Sequence, residues 1–340
     1  MKKTVAALLS AALLLCLTAC GAPKRQELSL FAMDTYMTLV AYGKGASDAL
    51  ADSGRAINAL EQKLSRTREG SAVWQVNHHG SAAVDDETAA LLAEALAYSA
   101  ETGSAFDITV APLVDLWAIN SDSPYVPSRE EIDALLPMVG SDHVGLDGGT
   151  VTLDAGCAID LGGIAKGYAS DVVADVFAAC GVTSGTVSLG GNVYVCGVRP
   201  DGKPWNVAVQ DPGGDGYACT LSLSDSFAVT SGGYQRFFTG PDGTVYQHII
   251  DPATGSPAQS DLLSVTVVCS SGTRADAYST ALYVMGEEAA IRFWTEKQDT
   301  DHAFEAVLIT ADGRIVCTPG LTDHFTQQEG SSYEVQFVSR

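Results

Sequence analysis

Asp276 and Thr280 stand four residues apart in the segment from Arg274 to Thr280, RADAYST. On a helix that spacing puts a carboxylate and a hydroxyl on one side. Two oxygen donors so placed suit a hard cation with several oxygen ligands, such as Mg2+. An Asp near a helix start equally suits capping. His248, one of six histidines, precedes Asp251-Pro252-Ala253-Thr254-Gly255, a rigid turn that fixes its direction. An imidazole titrates near neutrality and can accept a proton from an attacking hydroxyl, although a lone strand His is commonly structural. The stretch Asp160-Leu161-Gly162-Gly163-Ile164-Ala165-Lys166-Gly167 follows an apolar segment and opens a helix, a setting where backbone N–H groups hold phosphate. It lacks the Lys-Ser/Thr pair of a P-loop and the G-x-G-x-x-G of a dinucleotide fold, and Gly-Gly before a helix is also an ordinary tight turn. Gly103 after a long helix reads as a C-cap. That leaves Asp107, set between apolar Phe106 and Ile108, where an unpaired carboxylate would be costly.

The elements that must position these groups mix helices and strands without the strict alternation of a doubly wound sheet. Residues 28–42 are rich in β-formers and predict one or two strands. Leu50, Ile57, Leu60 and Leu64 recur at helical spacing over 47–64, and Asp86 to Ala100 predicts a second helix with acids in its first turn. Ser128 and Glu131 form a capping box ahead of a helix through Leu136, which Pro137 should stop. Val144 to Leu153, broken at Asp147-Gly148-Gly149, predicts a hairpin. A helix near 164–180, a strand-rich block over 185–270, helices near 274–285 and 287–297 and a hairpin around Ala311-Asp312-Gly313 complete the chain. The class is α+β, a single domain over 28–340.

Composition narrows the ligand. The 340 residues carry 19 basic and 41 acidic side chains, a formal charge of −22. That argues against nucleic acid, whose phosphates need clustered Lys and Arg. A nucleotide bound by so negative a protein is expected to come with a cation. The N-terminus has Lys2 and Lys3, an apolar stretch from Thr4 to Leu17, and Leu17-Thr18-Ala19-Cys20. This matches a lipoprotein signal peptide over 1–19, lipidation at Cys20 and a short tether over 20–27. A plain signal peptide that happens to contain a Cys is the alternative. Of eight cysteines, six lie beyond Cys20, none in a zinc spacing. An even number in an exported chain permits disulfides, but most suit small buried hydrophobes.

Seven blocks in order, FAMDTYMTL, GSAFDITVAPLVDLW, DLGGIAKGYASD, VSLGGNVYVCG, AVTSGGYQRFF, HIIDPATG and ADAYSTALYVMG, make the chain resemble the FAD:protein FMN transferases, the ApbE family, from about Phe31 to Gly286. The resemblance implies an α+β fold related to the T-fold, with mixed sheets and packed helices. It implies an enzyme that uses Mg2+ to move FMN from FAD onto a Thr hydroxyl of an acceptor protein, releasing AMP. Residue by residue, it implies flavin contacts at Met33, Ala105, Phe106 and Asp107, and Lys166 near the phosphates. Ile250 lines the nucleotide, with His248 beside it as the proton-transfer group. Asp276 and Thr280, with the Gly163 carbonyl, hold the metal. Thr67 stands where some members place an aromatic on FAD. An exported protein, lipid-anchored on the outer face of a bacterial membrane, with a membrane-associated redox protein as acceptor, is the implied setting. FAD pyrophosphatase activity and a non-catalytic flavin-binding surface lipoprotein are the alternatives.

Overall fold

The run Leu262–Cys269, LLSVTVVC, is almost wholly apolar because it is a central strand covered on both faces. Val265 and Val267 point to a core beneath the helices, and Val268 to a second core on the opposite side. The computed structural model describes residues 23–241 and 243–339, so Cys20 and the signal peptide lie outside the described residues.

The chain enters as a hairpin, β1 (Arg25–Ala32) and β2 (Thr35–Tyr42). Helices α1 (Ala46–Leu64) and α2 (Ala72–His79), strand β3 (Ser81–Ala83) and helix α3 (Asp86–Glu101) follow. Helices α4 (Ala111–Trp117) and α5 (Arg129–Leu135) lead to strands β4 (Val144–Asp147) and β5 (Thr150–Leu153), then α6 (Ala165–Ala179). A long β region holds β6 (Ser184–Leu189), β7 (Asn192–Gly197), β8 (Trp205–Gln210), β9 (Tyr217–Leu223) and β10 (Ser226–Gly232). It continues through β11 (Phe237–Thr239), β12 (Val245–Gln247) and β13 (Leu262–Cys269). Helices α7 (Gly272–Met285) and α8 (Glu287–Lys297) precede β14 (Glu305–Thr310), β15 (Arg314–Cys317), β16 (Phe325–Gln327) and β17 (Glu334–Phe337).

Nine strands form one sheet in the order β1-β2-β6-β7-β10-β13-β14-β15-β17, antiparallel except for the last pair. Period-two alternation divides its side chains between two layers. Ala306 and Leu308 of β14 join the helical core, whereas Val307 and Ile309 face the small sheet β16-β9-β8. The α+β class read from the sequence is therefore built as helices, large sheet and small sheet.

Most expected elements lie within two residues of their places. Strand β1 begins at Arg25, with Arg25 opposite Tyr42, so part of the expected tether is sheet. The α-helix ends at Leu135 with Leu136 as its C-cap, directly before Pro137 as expected, and the chain continues into a 3-10 turn, Leu136–Met138. All six described cysteines are free thiols, with Cys157, Cys196, Cys219 and Cys317 buried. No described helix is long and apolar enough to cross a membrane.

Helices α6 and α7 cross where both carry glycine. A Cβ at Gly167 would lie 2.2 Å from the Gly272 carbonyl oxygen and 2.6 Å from the Asp276 Cβ. Alanine at a helix interior gains about 1 kcal/mol over glycine. Here the clash is with backbone, and overpacking of that kind costs roughly 1–3 kcal/mol. Gly167→Ala should lower the midpoint of thermal unfolding; an unchanged or higher midpoint would show that the helices can separate freely.

Candidate active site

One cavity of about 1150 Å³ is lined by Met33, Thr67, Ala105, Phe106, Asp107, Gly163, Lys166, His248, Ile250, Asp276 and Thr280. Every candidate site residue but Cys20 is thus brought to a single place. Its size exceeds the usual upper bound of about 1,000 Å³ for small-ligand pockets, which suits a ligand as large as a dinucleotide.

The floor comes from α6 and α7. Asp276 is buried, and its Oδ2 accepts the Gly167 N–H at 2.8 Å. The carboxylate therefore does cap a helix, but the neighbouring α6, while the start of its own helix is capped by Ser271. Oδ1 has no protein donor among the described residues. Thr280 Oγ1 lies 3.3 Å from Ser231 Oγ, and a Cβ built at Gly163 would fall 3.6 Å from it. One carboxylate, one hydroxyl and a nearby carbonyl fit a hard cation that takes its other oxygens from phosphate and water. No group of three or more His, Cys, Asp and Glu suited to a metal occurs among the described residues, so a thiolate- or imidazole-rich centre does not arise.

His248 is half-buried beside this floor. Its Nδ1 is 3.3 Å from the Arg236 carbonyl oxygen, which can only accept, so Nδ1 carries the proton and Nε2 is the free acceptor. Burial, reinforced by the charges of Arg236 and Lys166, pulls the imidazole pKa down to about 4. The ring is therefore neutral at neutral pH. The chain just past β12 continues into the turn the sequence announced: Asp251 Oδ1 accepts the Ala253 N–H at 2.9 Å and Oδ2 the Thr254 hydroxyl at 3.0 Å. Trp117 Nε1 donates to the Gly255 carbonyl at 2.8 Å, and Ile250 packs with Leu113, Trp117 and Ile132. Helices α4 and α5 thus hold the His248 segment from behind.

The walls show a division of labour. Asp107 is paired, as a carboxylate between apolar neighbours must be. It accepts from Thr109 N–H at 2.8 Å, the Thr109 hydroxyl at 2.6 Å and the Ser99 hydroxyl at 3.1 Å. These bonds order the loop that presents Ala105 and Phe106. Met33 has φ of 48° and Asp34 of 57°, a left-handed turn without glycine. It is held by the Met33 N–H on Glu61 Oε1 at 3.0 Å and by Arg236 on the Asp34 carboxylate at 2.8 Å. Lys166 Nζ donates to the Gly162 carbonyl at 3.1 Å.

Several lining residues had no sequence signal of their own. Arg66 pairs with Asp115 and, at 3.5 Å, with Asp160. Asp160, Asp115, Ser231 and Arg236 lay within motifs already noted, but their partners are far away in the chain. Six carboxylates and only three basic side chains line the cavity. A pyrophosphate entering such a space needs an added cation.

The sequence pattern of the ApbE family matches residues 33–304. The FAD:protein FMN transferase of Vibrio cholerae is 36% identical over 242 residues, covering 69% of this chain and 72% of that protein. The FAD:protein FMN transferase of Treponema pallidum is 34% identical over 296 residues, covering 81% and 80%. The crystal structure of the ApbE protein of Thermotoga maritima superposes with a TM-score of 0.82 at 32% identity, covering 90% of this chain and all of that one. With sequence, fold and cavity in agreement, the chain belongs to the ApbE family.

Proposed function

We propose that this protein transfers the FMN half of FAD to a Thr hydroxyl of an acceptor protein with the help of Mg2+, releasing AMP. As a relative of curated FAD:protein FMN transferases over most of its length, it is an enzyme of the transferase class, with FAD as substrate and a protein as acceptor. The observation that carries the finer reading is the meeting of Asp276, Thr280, Gly163, Lys166 and His248 in one acid-rich cavity.

Each group answers a need of the reaction. The acceptor oxygen attacks the FMN-side phosphorus, its O–P bond forms as the bond to the AMP oxygen breaks, and the hydroxyl proton must leave. Nε2 of neutral His248 takes that proton. Lys166 faces the phosphates and offsets charge that builds on them. Met33, Ala105, Phe106 and Ile250 offer apolar surface to the flavin side of the molecule, with Thr67 at the edge. Asp276, Thr280 and the Gly163 carbonyl would hold Mg2+, which when bound neutralises charge on the phosphoryl oxygens. A pure carrier of FAD would need no base.

The leader over residues 1–19, followed directly by Cys20, supports export and lipid anchoring on the outer face of the membrane. Tethering to the surface that holds membrane-associated redox proteins raises the effective concentration of acceptor without any new contact.

Incubation with FAD, Mg2+ and an acceptor bearing one exposed Thr should yield AMP and an equimolar phosphoester-linked flavin on that Thr, both read by mass spectrometry. Thr→Val in the acceptor should abolish labelling. Equal rates of AMP and free FMN with and without acceptor, and no protein-linked flavin, would make the activity FAD hydrolysis instead.

A further inference from the structure

Asp171, on α6 one turn after Gly167, plays no part in the cavity wall. Its Oδ1 accepts the Gly272 N–H at 2.7 Å. Its Oδ2 accepts the Thr273 N–H at 2.8 Å, the Thr273 hydroxyl at 2.5 Å and the Ser271 hydroxyl at 3.3 Å. These are the first donors of α7, the helix that carries Asp276 and Thr280. The usual N-cap is already present, since Ser271 Oγ accepts the Arg274 N–H at 3.2 Å. Asp171 adds a carboxylate reaching in from a different helix.

Asp276 and Asp171 therefore bind in opposite directions across the same crossing. The carboxylate of α7 holds an amide of α6, and the carboxylate of α6 holds two amides of α7. Between them Gly167 and Gly272 touch so closely that neither has room for a Cβ. Asp276 follows Gly272 by four residues, about 6 Å along the axis. Any slide of α7 along α6 would break the Asp171 bonds first and carry Asp276 with it.

We propose that Asp171 is a positioning residue for the cation site: by fixing the first turn of α7 against α6, it sets where Asp276 Oδ1 stands in the cavity. The proposal rests on the reading of Asp276 and Thr280 as cation ligands. Groups that orient ligands in this way are worth about 10- to 100-fold in metal affinity.

The test is Mn2+ binding to the intact, FAD-free protein, followed by electron paramagnetic resonance, alongside FAD affinity and thermal unfolding. Asp171→Asn should weaken Mn2+ by roughly 10- to 100-fold, with FAD affinity little changed and turnover recovered at high Mg2+. Thr273→Val, which removes only the hydroxyl bond to Asp171, should shift Mn2+ affinity the same way by less, and it serves if the Asp171 variant does not fold. A lowered unfolding midpoint with wild-type Mn2+ affinity in both variants would reduce Asp171 to a helix cap and overturn the proposal alone. Wild-type protein that binds no Mn2+ would overturn the cation reading, and this proposal with it.

Discussion

Asp276→Asn should lower FMN transfer by on the order of 10²- to 10⁴-fold, because cation stabilisation of phosphoryl charge is worth several kcal/mol and each 1.4 kcal/mol is tenfold. The amide oxygen of Asn can still accept the Gly167 N–H that Asp276 now holds at 2.8 Å. Folding is therefore expected to survive, and the loss to follow from the missing charge. Asp276→Ala is a poorer probe, since it strands a buried N–H at a cost of about 1–3 kcal/mol. The measurement is single-turnover transfer with Mn2+ titration and an unfolding curve for each variant. A wild-type rate in the Asn variant, or indifference of the wild type to EDTA, would remove Asp276 from the chemistry.

His248→Ala should reduce the rate at saturating FAD by about 10²- to 10⁴-fold, the range of a general base, and change FAD affinity much less. The pH dependence supplies a second signature. Burial, with Arg236 and Lys166 nearby, holds the free-enzyme pKa at about 4 rather than near 6.5, so the neutral, proton-accepting form persists well into acid. The acid limb of kcat/KM, which reports the free enzyme, should fall near pH 4. Bound pyrophosphate brings negative charge that opposes the two cations and raises the imidazole pKa. The acid limb of kcat should then lie at higher pH than that of kcat/KM. If the Ala variant binds FAD poorly but turns over normally at saturation, His248 is a binding residue.

What the sequence disclosed depended on how local the cause was. Helix α1 announced itself through Leu50, Ile57, Leu60 and Leu64, and the capping box at Ser128 and Glu131 is present with both of its bonds. The turn after His248 was readable because Asp251, Pro252 and Gly255 act within five residues of one another. Helix α4 went unseen: seven residues with Pro112 in the first turn have too little periodicity to stand out, and its helical state comes from packing with Ile250. The identity of the Asp107 partners was equally hidden, since Ser99 lies a helix turn and a loop away. Arg66 has no pattern at all, and Arg236, although it lies in a noted block, gives no sign of its partner. Each acquires meaning only when the fold brings up Asp115, Asp160 or Asp34.

The three-layer sheet bears on how separable the chemistry is from the rest of the chain. The family pattern ends at residue 304, just before β14. Yet β14 is hydrogen-bonded along β13, and Val307, Ile309, Ile315 and Cys317 complete the core under the small sheet. A chain stopping at 304 would leave β13 as a bare apolar edge, with unpaired amides and carbonyls free to recruit another molecule, the usual route to edge-to-edge aggregation. The C-terminal strands line no part of the cavity, yet they cover the edge of the strand that helps to scaffold it.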